Sequence, residues 1–211
     1  MKNTILFDVD GTLIDTEKTI IKSFQKTLND TYGITPAAEE LFYVLGIPGT
    51  KAVEKYVHSK AEAQKLLSDW NENDHAMFHY SEMFNGIKKA LEQLKQQGIK
   101  LGIVTSRTDT EMQVVLDNFD IGKYFDIFVT ASKTKLHKPD PDPILKAMEI
   151  LNLSPQDTMY VGDSIYDFQC AQNAGIEFGL ASWGAKENPE FDKVDYHLQS
   201  PTDLTEIIQK S

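Results

Sequence analysis

The 211-residue sequence predicts an α/β protein, a Rossmann-like parallel sheet interrupted early by a small all-α domain. Three features carry that expectation. An apolar, β-branched and aromatic run at residues 4–7 stops at Asp8-Val9-Asp10-Gly11, as a short buried strand followed by a turn does. Residues 15–81 carry helical signals and no convincing strand. From Gly86 onward strand-like runs alternate with helices, the order that gives a parallel sheet covered on both faces.

Taken in order, the helical block reads as segments 16–31, 37–44, 50–58 and 60–80, punctuated by Gly33 with Pro36 and by Gly46-Ile47-Pro48-Gly49. The regular part then runs helix 87–97, closed by Gly98, strand 100–104, helix 110–119 and strand 127–129. Helix 141–151, strand 158–161, helix 165–173, closed by Gly175, and strand 176–180 complete it. The expected division is therefore a core of residues 1–14 and 82–211 and a helical cap of residues 15–81. An insertion just after the first strand would hang over the carboxyl ends of the strands, the edge at which open α/β sheets bind ligands.

Each of those strand ends delivers a polar group. At the first, one of the paired carboxylates Asp8 and Asp10 can attack an electrophile while the other handles protons or metal, although Asp-x-Asp-Gly is also an ordinary solvated turn. Strand 100–104 ends in Thr105-Ser106-Arg107, which offers two hydroxyls and backbone N–H groups to an anion or caps the helix that begins near Asp109, and Arg107, following that turn, is itself a candidate anion contact. Lys138 stands before three alternating prolines that stiffen its segment and hold its ammonium in one place. Asp163 and Asp167 lie four apart at the start of a helix, where both can face one cavity; Asp163 could equally cap that helix. Four gathered carboxylates repel unless a cation compensates, and an all-oxygen donor set without clustered His or Cys points to Mg²⁺. A nucleophile, positive charge for phosphoryl oxygens and a proton for the leaving group are the requirements of phosphoryl transfer, met by Asp8, by Mg²⁺ with Lys138, and by Asp10.

Composition excludes other classes. A net charge of −11 and a single arginine, Arg107, beside twenty lysines argue against a nucleic-acid surface. No apolar stretch approaches a membrane span, and the chain enters its first strand at once without a signal peptide, so a cytoplasmic protein without membrane partners is expected. The single cysteine, Cys170, excludes an internal disulfide and a cysteine metal cluster. His75 and His79 stand four apart and could meet a metal or substrate, but histidines so placed are more often packed or solvated. Trp70 and Trp183 read as core or rim residues.

Asp8-Val9-Asp10-Gly11-Thr12, the strand-terminal Thr105, Lys138 in Lys-Pro-Asp-Pro-Asp-Pro, and Gly162-Asp163-Ser164-Ile165-Tyr166-Asp167 together resemble the four motifs of the haloacid dehalogenase (HAD) superfamily, in order. The helical insert resembles the C1-type cap of the phosphoglycolate phosphatase branch. This resemblance implies an aspartyl phosphate on Asp8, with Asp10 as general acid and then general base. It implies phosphoryl binding by Thr105, Lys138 and the neighbouring Ser106. It also implies Mg²⁺ held by Asp8, the Asp10 main-chain carbonyl and Asp163, with Asp167 supporting the metal's water shell. Met83-Phe84-Asn85-Gly86 departs from the Pro-Gly that relatives often carry there, which leaves the return to the core less rigidly specified.

The expected activity is Mg²⁺-dependent hydrolysis of a small phosphorylated metabolite, phosphoglycolate-like or a sugar phosphate, by a monomer or homodimer. A phosphosugar mutase similar to β-phosphoglucomutase would use the same intermediate, but such mutases often have an apolar residue where this chain has Thr12. A phosphoacceptor signalling module similar to a response-regulator receiver would lack both the cap and Asp10. A true dehalogenase would lack Asp10 as well.

Overall fold

The computed structural model describes residues 2–210, and the side chains of all but 208–210 among them. The chain divides into two compact units, Met1–Ile14 with Met83–Ser211, and Asp15–Glu82. Strand β1 (Thr4–Phe7) is buried at every position, as the apolar run Ile5-Leu6-Phe7 requires. After a turn, the two-residue strand β2 (Ile14–Asp15) leads into the smaller unit, and its partner β3 (Glu82–Met83) brings the chain back.

The smaller unit is helical. Helix α1 (Glu17–Tyr32) ends on Gly33, whose φ of 69° lets it take the left-handed cap conformation. The segment expected as helix 37–44 is a 3-10 helix, Ala38–Val44, with Leu41 and Val44 buried. The expected helix 50–58 is shorter and broken into α2 (Gly49–Ala52) and a 3-10 turn, Val53–Tyr56. Helix α3 (Lys60–Met77) starts at Ser59, whose hydroxyl accepts from the Glu62 N–H, and passes into a 3-10 turn, Phe78–Tyr80. Phe24 and Trp70 stack at 4.3 Å in the core of this unit, and the indole N–H donates to Ser23 Oγ at 2.9 Å.

In the larger unit the chain continues through helix α4 (Ile87–Gln96), β4 (Lys100–Val104), α5 (Asp109–Asn118), β5 (Ile127–Val129), α6 (Asp142–Leu151), β6 (Thr158–Gly162), α7 (Ile165–Ala174) and β7 (Glu177–Ala181). These boundaries follow the expected ones within two residues. Strand β8 (Tyr196–Leu198) and α8 (Asp203–Lys210) end the chain. All six core strands are parallel, in the order β5-β4-β1-β6-β7-β8. Because β1 is central and Phe7 is level with both Ile103 and Val161, the carboxyl ends of β1, β4 and β6 come out side by side. Leu6, Val104, Ile144, Phe168 and Phe178 are among the buried residues of the core around the sheet. Strand β8 carries no apolar run in sequence and is held by the edge itself, where Asp195 accepts from the Phe178 N–H at 2.8 Å and the Tyr196 hydroxyl donates to Glu177 at 2.9 Å.

Phe24 is fully buried between Trp70 and Tyr56. Phe24→Ala should therefore cost about 3–5 kcal/mol, through lost transfer energy and the cavity left behind. Chemical denaturation followed by Trp70 fluorescence, in a Trp183→Phe background, should give a clearly lower midpoint. An unchanged midpoint would remove Phe24 from the centre of that core.

Candidate active site

Asp8 leaves β1 directly, with its N–H donating to Val161 O at 2.9 Å and its side chain buried. The chain then folds back tightly, as the Leu13 and Ile14 N–H groups both donate to Val9 O, at 2.9 and 3.0 Å. Gly11 makes that turn possible. Its φ is 73°, and a Cβ there would lie 2.2 Å from Asp163 Oδ2, so only glycine lets the Asp163 carboxylate lie against the turn. Thr12 Oγ1 donates to Asp163 Oδ1 at 3.0 Å and fixes it there.

Asp163 does not cap α7. That role belongs to Ser164, whose hydroxyl accepts from the Asp167 N–H while Asp167 Oδ2 accepts from the Ser164 N–H at 3.0 Å, a reciprocal capping box. The other oxygen of Asp167 faces inward and receives Lys138 Nζ at 2.6 Å. Lys138, buried on the loop between β5 and α6, also lies 3.1 Å from Asp8 Oδ1. That approach satisfies an ion pair by distance, yet Oδ1 accepts no well-directed hydrogen bond among the described residues.

The electrostatics follow from this crowding. Burial, joined by the negative charges of Asp167 and Asp10, raises Asp8 to about 7 against the opposing pull of Lys138. Burial likewise pushes Asp163 well above the usual carboxylate range, with Asp167 and Asp8 adding to it. For Lys138 burial alone would favour the neutral amine, but Asp167 and Asp8 outweigh it and keep the ammonium. Oxygen atoms of Asp8, Asp163 and Asp167 lie within 4.8 Å of one another. An all-carboxylate, partly unsatisfied, buried set of this kind fits a small hard divalent cation such as Mg²⁺.

The Asp10 carboxylate stands apart from that group of three. It is gripped by Arg107, with Nε at 2.9 Å from Oδ2 and Nη2 at 2.7 Å from Oδ1. Sequence reading considers Arg107 as a substrate-anion contact, and the structure instead directs that edge of its guanidinium to Asp10. Thr105 is buried at the end of β4, and its hydroxyl accepts from the Arg107 N–H at 3.2 Å, while Ser106 is half-buried in the bend. Helix α5 is capped by Thr108 with Glu111 and by neither Thr105 nor Ser106.

Two contributors escape sequence reading. The fully buried Tyr160 hydroxyl lies 2.9 Å from both Val104 O and Asp167 Oδ1, which ties the end of β4 to the start of α7 beneath Lys138. A tyrosine inside the apolar run of β6 is its signal, because a buried phenol needs a partner. The loop after β7 braces the Asp8–Asp10 turn: the Trp183 indole donates to Thr12 O at 2.9 Å. Next to it, Gly184 sits where a Cβ would fall 1.7 Å from Gly11 O. His75 and His79 are exposed in the smaller unit, where the His79 ring stacks on Tyr80 at 4.2 Å. Cys170 is packed in the core, its thiol pushed up to about 12 by burial.

A sheet with this order and acidic groups at its strand ends defines a class. The chain belongs to the haloacid dehalogenase-like hydrolase family, whose model matches residues 5–181, and it is a phosphatase of that family. A Caldanaerobacter subterraneus protein provisionally named pyrophosphatase PpaX is 36% identical over 97% of this chain and 94% of its own length. Pyrophosphatase PpaX of Bacillus mycoides is 33% identical over 99% of this chain and 97% of its own length. A Lactobacillus plantarum crystal structure, provisionally a phosphoglycolate phosphatase, superposes with a TM-score of 0.90 at 29% identity, covering 98% of this chain and all of that one. Among the described residues no helix is long and apolar enough to cross a membrane.

The raised Asp8 has a consequence for stability. Between the ordinary value of 3.8 and about 7 the folded chain keeps a proton that the unfolded chain has lost, so this contribution fades as pH rises through that window. In metal-free buffer, Asp8→Asn should flatten the decline in melting temperature across that range. At neutral pH it should be more stable than the wild type by about 1–3 kcal/mol. Superimposable melting profiles for the two proteins would contradict the buried-charge account.

Proposed function

We propose that this phosphatase is Mg²⁺-dependent and hydrolyses a small phosphorylated metabolite, phosphoglycolate-like or a sugar phosphate, through an aspartyl phosphate on Asp8. The observation that carries this reading is Asp8 itself, buried at the end of β1, with one oxygen that accepts no hydrogen bond among the described residues, beside a fixed ammonium 3.1 Å away. Such a carboxylate is held ready to attack phosphorus, and Lys138 balances charge on the entering phosphoryl group. Thr105, with its neighbour Ser106, supplies hydroxyl and main-chain contacts to the remaining phosphoryl oxygens. Asp10, two residues from the nucleophile, protonates the departing oxygen and then takes a proton from the water that attacks the acyl phosphate. Asp8 and Asp163, with the Asp10 main-chain carbonyl, would hold Mg²⁺, Asp167 would support its water shell, and the ion would supply further positive charge to the phosphoryl oxygens.

The names of the Caldanaerobacter and Bacillus relatives favour pyrophosphate as a second candidate substrate for the same chemistry. Orthophosphate is a far better leaving group than an alkoxide, so the two candidates differ in how much they need a proton from Asp10.

Asp8→Asn should abolish turnover of every substrate, and chelation of divalent ions should do the same until Mg²⁺ is returned. Asp10→Asn should lose about 10²–10⁴-fold with an alkyl phosphate and much less with p-nitrophenyl phosphate, whose leaving group needs little protonation. Rapid-quench mass spectrometry of Asp10→Asn should find a phosphoryl group on the Asp8 peptide. Phosphate on another residue, or an active Asp8→Asn, would overturn the mechanism.

A further inference from the structure

The chain has twenty lysines and one arginine, and that arginine is buried against the proposed proton carrier. We propose that Arg107 is the positioning residue of Asp10, setting the orientation in which its carboxylate gives and takes the proton. The inference rests on the reading of Asp10 as general acid and base.

Three observations support it. The grip is two-pronged: Nε lies 2.9 and 3.1 Å from the two carboxylate oxygens, and Nη2 lies 2.7 Å from Oδ1. A guanidinium edge that engages both oxygens fixes the plane of the carboxylate, which a lysine, as a point charge, does not.

The base of the arginine is fixed as well. Its N–H donates to Thr105 Oγ1 at 3.2 Å, and its carbonyl accepts from the Ala131 N–H at 2.8 Å. The side chain is only 8% exposed, so little rotamer freedom remains. Arg107 is thus anchored at the end of β4 and reaches across to the turn after β1. A carboxylate left to itself on that turn could rotate, and misorientation of a proton donor by a fraction of an ångström is costly to rate.

The roles of positioning Asp10 and binding substrate separate in kinetics. With an alkyl phosphate, Arg107→Met should lower kcat by about 10–100-fold, whereas p-nitrophenyl phosphate turnover should fall no more than about threefold, the leaving-group signature of impaired proton transfer. In an Asp10→Asn background, Arg107→Met should cost nothing further with the alkyl ester, because the group it orients is gone. Arg107→Lys keeps the charge without the fork. It should show the same leaving-group signature, and it carries the test should the methionine variant fail to fold. An equal loss with both esters, a rise in KM alone, or full additivity with Asp10→Asn would overturn the proposal. Should Asp10→Asn itself lack leaving-group dependence, the underlying reading of Asp10 fails instead, a result distinguishable from failure of the Arg107 role.

Discussion

Carboxylates withdrawn from water must meet positive charge or give up their own, and the larger unit is organised around that constraint. Asp8, Asp163 and Asp167 converge within 4.8 Å at the strand ends. Among the described residues their compensation is Lys138, a buried ammonium shared between Asp8 and Asp167. One charge against three leaves a deficit, and burial with the neighbouring carboxylates raises both Asp8 and Asp163 above the usual carboxylate range. The deficit is what makes the cluster fit a cation, since carboxylates fully neutralised from within would gain little from one.

The strand order turns this electrostatic problem into a geometric one. With β1 at the centre and β4 and β6 on either side, three chain crossings deliver their polar ends to one edge. Tyr160 then joins β4 to α7, and Ser164 with Asp167 closes the start of that helix, so Asp163 is relieved of capping and its carboxylate lies against the turn after β1. The smaller unit follows simpler rules: its core is an aromatic stack of Phe24 with Trp70, enclosed by two long helices and short turns.

Much of this was legible in the sequence because it depends on local pattern. Asp8, Lys138, Asp163 and Asp167 each follow or precede a run whose periodicity identifies it, and phosphoryl transfer constrains the residue types that can stand there. Pairings between distant side chains leave no such trace. Arg107 and Asp10 are 97 residues apart, and nothing local distinguishes an arginine that meets substrate from one that orients a neighbour. Strand β8 escaped for a related reason: an edge strand held by Asp195 and Tyr196 has no apolar face to advertise it. The 3-10 segment at Ala38–Val44 puts its buried residues three apart, a spacing an α-helix shares, so the pattern alone does not separate the two.

The brace after β7 has a bearing on how variation in this chain should be interpreted. Trp183 holds Thr12 by its carbonyl, and Gly184 leaves no room for even a methyl group before Gly11 is reached. Intolerance of substitution at position 184 would therefore register the tightness of two backbones in contact, and would be silent about chemistry. Loop grafts between related enzymes that change the spacing from β7 to this glycine would shift the turn that follows Asp8 without altering any side chain on it.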